Sequence, residues 1–179
     1  LRNATTLTSV VLASVGTNSP LSFSLPPSTR QLMLSVTKSV KPVDCPALRH
    51  LHLYDSTFDA RNLPDLVSLE LHGDCRLAHP SNFFPHLTAL TLHSTLFQPT
   101  HRLPPTLRRL CVFKSNVNEE TFFQQLACCT NLTGLTLMFT VSRRKVKLTD
   151  LVQLQEMQCV LFSPKVRFPP SLTSLTLFS

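Results

Sequence analysis

The hexad Leu-x-x-Leu-x-Leu recurs along this chain of 179 residues, and no other feature limits its fold as strongly. It reads Leu48-x-x-Leu51-x-Leu53, Leu66-x-x-Leu69-x-Leu71 and Leu87-x-x-Leu90-x-Leu92. It continues as Leu107-x-x-Leu110-x-Val112, Leu132-x-x-Leu135-x-Leu137 and Leu172-x-x-Leu175-x-Leu177. Two looser copies lie upstream, Leu7-x-x-Val10-x-Leu12 and Thr29-x-x-Leu32-x-Leu34. First positions at 7, 29, 48, 66, 87, 107, 132 and 172 give successive gaps of 22, 19, 18, 21, 20, 25 and 40 residues. The last gap is two ordinary periods, with Met157-x-x-Val160-x-Phe162 as a degenerate candidate to fill it. Leu supplies 33 residues against 3 Gly and no Trp, which excludes a glycine-loop nucleotide enzyme and a collagen-like fibre. Hydrophobic residues make up 42%, too many for disorder as the default state. No apolar run approaches the roughly 20 residues of a membrane-spanning helix.

Several hexads follow proline: Leu25-Pro26-Pro27, Leu63-Pro64, Phe84-Pro85, Leu103-Pro104-Pro105 and Phe168-Pro169-Pro170. This pattern resembles the leucine-rich repeat, over essentially the whole chain. The phrases at 103–110 and 168–175 are similar to the short LPX-type repeats of bacterial effectors and to the FNIP-type repeats of protists. The segment Leu126-Ala127-Cys128-Cys129-Thr130-Asn131-Leu132-Thr133 resembles the cysteine-containing repeats that follow F-boxes. The resemblance implies an α/β-type leucine-rich-repeat solenoid, residues 1–179 forming a single array of about eight or nine repeats. With no recognisable cap at either end, the array is expected to be part of a longer chain. The family usually places Asn three residues after the last Leu. Here that slot reads Ser56, Asp74, Thr95, Ser115 and Thr140, short side chains able to hydrogen-bond backbone amides in the turn.

The spacing has a direct physical reading. In an extended strand alternate side chains share a face, so the second and third Leu of each hexad point into one core. One repeat cannot bury that face alone, and stacking its neighbours completes it. Parallel strands then form a curved sheet lining a concave surface. Gaps of 18 to 21 residues leave little room for helices on the convex back, where proline favours extended or 3-10 returns. Two longer repeats predict short helices near 119–128, with Asn118 as cap, and near 149–156.

On the concave face, the residue after each last Leu reads Tyr54, His72, His93, Phe113 and Met138, and the residue between the last two reads His52, Glu70, Thr91, Cys111 and Thr136. Parallel strands about 4.8 Å apart turn these into two lateral ladders. His50 shares the face of His52, and Arg49, Arg108 and Arg109 fall at the same strands. His52, Glu70 and His72 can be imagined around a divalent metal; a solvated recognition surface is the simpler reading, and no metal is expected. No nucleophile, base and oxyanion donor are specified together, so neither enzymatic activity, cofactor nor small-molecule substrate is expected. Arg143, Arg144, Lys145 and Lys147 form a basic loop, and the net charge is +7. Such clusters bind acidic proteins or phosphate backbones.

Six Cys without secreted-type spacing read as mostly buried free thiols and imply an intracellular setting, cytoplasmic or mitochondrial. The sequons Asn3-Ala4-Thr5 and Asn131-Leu132-Thr133 point the other way. The expected function is a protein–protein interaction module using the concave strands. The alternative is a structural subunit of a large ribonucleoprotein or membrane complex, docking through its basic residues.

Overall fold

A computed structural model describes residues 6–14, 25–36, 39–40, 45–59, 63–78, 84–97, 102–114, 116–139, 147–160 and 166–178. Each hexad becomes one strand of a nine-stranded, all-parallel sheet that forms a repeat solenoid. The strands are β1 (Ser9–Ser14), β2 (Gln31–Val36), β4 (His50–Tyr54), β6 (Ser68–His72), β8 (Ala89–His93), β10 (Arg109–Phe113), β12 (Gly134–Met138), β13 (Glu156–Val160) and β14 (Ser174–Phe178). Their order in space is their order in sequence. Short parallel strands occupy part of the returns. One set is β3 (Ser39–Val40), β5 (Thr57–Asp59) and β7 (Arg76–Ala78); the other is β9 (Leu96–Phe97) with β11 (Asn116–Val117).

Hexad positions face each other without slippage. Leu51 stands between Leu32 and Leu69, and Leu110 between Leu90 and Leu135. The inward residues are buried from Val10 through Cys159, save half-buried Leu12. Each such Leu contributes on the order of 1.5–3 kcal/mol when taken out of water. Leu175 and Leu177 keep the register but stay 41% and 49% exposed, since no described strand stacks beyond β14.

Two backbone devices repeat with the strands. Before six of the nine, a tight turn places proline second: Pro27, Pro46, Pro64, Pro85, Pro105 and Pro170. The Leu87 N–H donates to Phe84 O at 3.2 Å and the Leu107 N–H to Pro104 O at 3.2 Å, closing such turns. The ring presets the backbone that this turn position requires. At the strand start one carbonyl accepts two amides from the next repeat. Arg30 O takes Arg49 and His50, Arg49 O takes Val67 and Ser68, and Thr88 O takes Arg108 and Arg109, all at 2.8–2.9 Å.

Strands end at left-handed residues, Asp55 (φ 45°), Gly73 (φ 74°), Ser94 (φ 55°) and Lys114 (φ 45°). Their amides donate to His72 O, His93 O, Phe113 O and Met138 O of the following strand. Buried Ser56, Cys75 and Thr95 come next. Their hydroxyl or thiol groups reach strand-end carbonyls: Thr95 Oγ1 lies 3.1 Å from Leu71 O and 3.2 Å from His93 O. Cys75 Sγ lies 3.1 Å from His72 O and 3.4 Å from Leu53 O. The expected slot residue Asp74 is therefore corrected to Cys75. Gly73-Asp74 carries one extra residue, and Asp74 is exposed.

Helix α1 spans Glu119–Leu126, with Asn118 Oδ1 accepting the Thr121 N–H at 3.1 Å. Phe122 and Leu126 face the core, and Gln125 Oε1 accepts the Leu103 N–H at 2.9 Å, tying the helix to the preceding repeat. The helix expected near 149–156 does not form. Two tight turns, Leu151 N–H to Leu148 O and Leu154 N–H to Leu151 O at 3.0 Å each, bury Leu148, Leu151 and Leu154 and lead into β13. The hexad placed at Met157 is likewise corrected. Met157 and Cys159 pair with Leu135 and Leu137, so the copy is Leu154-x-x-Met157-x-Cys159. The 40-residue gap resolves into 132 to 154 and 154 to 172, ordinary periods of 22 and 18.

Candidate functional site

The strand pleat that buries leucines turns the intervening side chains outward, so every repeat adds one member to each outer row. The row after the last Leu brings four rings into face-to-face contact. Tyr54 stacks on His72 with centroids 4.4 Å apart and planes 12° from parallel. His72 follows on His93 at 5.3 Å and 24°, and His93 on Phe113 at 5.6 Å and 26°. All four rings are half-buried, and Met138 stands in register beyond Phe113. Stacking turns the ring faces toward one another, and the His72 edge bearing Nε2 is directed at the neighbouring row.

The adjacent row holds the site's carboxylate. His52 Nδ1 lies 2.9 Å from Glu70 Oε2, and His72 Nε2 lies 3.6 Å from the same oxygen, beyond hydrogen-bond length. Two imidazoles thus converge on one carboxylate oxygen and tie the two rows together. His72 Nε2 is itself shielded from solvent without a hydrogen-bond partner. Among the described residues no group of three His, Cys, Asp or Glu side chains has an arrangement suited to a metal ion.

The remaining outward residues define a rim. His50 stands in register with Gln31 and Ser68, and Arg109 with Ala89 and Gly134. Arg49 and Arg108 occupy equivalent positions one residue before their strands, and both are exposed. Arg30 completes this row and was legible as the second residue of the loose copy Thr29-Arg30-Gln31-Leu32, but the sequence reading passed over it. Arg143, Arg144 and Lys145 lie outside the described residues. Lys147 belongs to a return, where its Nζ pairs with Asp150 Oδ1 at 3.0 Å and its backbone bridges to Arg167, so it does not join the outer face.

All six Cys are free, with Cys45, Cys75, Cys129 and Cys159 buried, Cys111 half-buried on the outer face and Cys128 exposed. Burial pushes the Cys129 thiol up to about 12, the neighbouring Cys128 adding to it, and burial pushes Cys159 up to about 11. Of the sequons, Asn3 lies outside the described residues, and Asn131 Nδ2 donates to Pro105 O at 3.2 Å. Among the described residues no helix is long and apolar enough to cross a membrane. No protein-family model matches the sequence, and no curated protein shows significant similarity to it.

Proposed function

We propose that the chain is a leucine-rich-repeat protein acting as a protein–protein interaction module that binds a partner across its outer, concave strand face. The observation that carries this reading is the row Tyr54, His72, His93 and Phe113, four half-buried rings held in register by four consecutive strands. Rings and arginines fixed on a sheet lose little freedom on association, and such residues dominate protein interfaces. The six free thiols fit an intracellular setting. No cofactor or small-molecule substrate enters this reading.

The alternative, a structural subunit of a ribonucleoprotein or membrane complex, draws on the exposed arginines of the rim. Base stacking needs free ring faces, and here the faces are turned to one another.

Affinity capture from native extract, at low and high salt, tests the reading with two variants. His93→Ala with Phe113→Ala removes half of the ring row; Glu120→Ala with Gln124→Ala alters the exposed surface of α1. A discrete protein retained at high salt by the wild type and the α1 variant, and lost from the ring variant, supports the module. Recovery of nucleic-acid complexes that vanish steeply with salt supports the alternative.

A further inference from the structure

Resting on the interaction-module reading, we infer that the partner presents an extended acidic segment, laid across the strands, whose carboxylates are gripped by Arg30 and Arg49 on one side and by Arg108 and Arg109 on the other.

The charge arrangement asks for this occupant. All four arginines are exposed, and none has an ion-pair partner among the described residues. They come as two neighbouring pairs, Arg30 beside Arg49 on adjacent strands and Arg108 beside Arg109 in sequence, so positive charge is doubled at each end. Two acids stand between the pairs: Glu70, whose Oε2 is already engaged by His52, and Asp65, exposed in the turn before β6 and, among the described residues, in no ion pair with these arginines.

The shape favours a chain over a compact ligand. Between the arginine pairs the rim carries Val67 and Ser68, then Thr88 and Ala89, all half-buried and all shorter than the flanking arginines. Beyond them Gly134 adjoins Arg109; a β-carbon there would stand 3.6 Å from Arg109 Cγ, so the missing side chain opens space beside that arm. Arg49 and Arg108 share one backbone row and are three strands apart, about 14 Å at 4.8 Å per step. An extended peptide rises about 3.3 Å per residue, so acids about four residues apart match the two pairs. A guanidinium fork meets a carboxylate through two parallel hydrogen bonds, which adds direction to the charge attraction.

Panning a display library of random peptides, about three such spacings long, against the wild type and against Arg49→Gln with Arg108→Gln tests this. The expected result is an acid-rich consensus with Asp or Glu about four residues apart. A synthetic consensus peptide should then bind the double variant at least about tenfold more weakly, while its Gln and Asn counterpart binds neither protein. Both changes are exposed, so an unaltered melting curve certifies the fold. The inference is overturned if no peptide is enriched, if enriched peptides lack acids, if the double variant selects the same set, or if single-stranded DNA displaces the consensus peptide at lower concentration. A partner captured through the ring row yet indifferent to Arg49→Gln with Arg108→Gln would defeat the acidic segment and leave the interaction module standing.

Discussion

Gly73→Ala isolates the left-handed turn that ends each of four consecutive strands. Gly73 has φ 74°, and a β-carbon built on it would stand 1.9 Å from Asp55 Oδ1. Placing an L side chain in that region costs about 1–2 kcal/mol. Asp55 must also swing away and give up its bond to the Asp74 N–H, 3.0 Å long and exposed, worth about 0.5–1.5 kcal/mol. The expected loss is therefore about 1.5–3.5 kcal/mol, read as a lower midpoint in urea at unchanged slope. A second background separates the two contributions. Asp55→Gly removes the obstructing carboxylate, so Gly73→Ala in that background should cost only the backbone share, leaving a coupling of about 0.5–1.5 kcal/mol between the sites. Strict additivity, or a cost under about 0.5 kcal/mol for Gly73→Ala alone, would refute the assigned turn.

Leu90→Ala, which empties an inward hexad position 7% exposed, should cost about 2–5 kcal/mol, and an unchanged melting temperature would contradict the register. Thr29 stands where other hexads have Leu, fully buried with Oγ1 unpartnered, so Thr29→Val should stabilise the fold by about 1–3 kcal/mol in the same urea assay. Native-state alkylation should label Cys128 and spare Cys129 and Cys159, read by mass spectrometry after quenching. The raised thiols also fix a pH response. Below pH 9 folded and unfolded chains both hold these protons; above it the unfolded thiols release theirs first, so stability falls as pH rises toward about 11 for Cys159 and about 12 for Cys129. Each thiol contributes a slope of about 1.4 kcal/mol per pH unit inside its window, and Cys129→Ala should flatten the curve by that amount.

The parts legible in the sequence were those written by side-chain period. Alternation located eight of the nine strands and both outer rows, including the order Tyr54, His72, His93, Phe113, while Asn118 and two glutamates marked α1. What failed had an ambiguous period. Leu148, Leu151 and Leu154 recur every third residue, as one face of a helix does, but successive tight turns give the same spacing. Ladder pairing of Met157 and Cys159 with β12 decides for the strand. The hydroxyl slot was misassigned by counting, since an extra residue after His72 moves the buried position from Asp74 to Cys75. Ring stacking itself follows from lateral register, which a linear sequence does not display.

That extra residue has a consequence for how such a chain can change over time. The strand starts are locked by shared carbonyls, so a deletion within a hexad would throw its leucines out of the core. One residue added just past the strand is absorbed within two positions, because Cys75 still reaches the Leu53 and His72 carbonyls and Arg76 still pairs with Thr57. Insertions and deletions should therefore accumulate outside the hexads, and whole repeats can be gained or lost together. Such an array can lengthen, shorten or rewrite its outer rows one substitution at a time while the leucine framework stays the same.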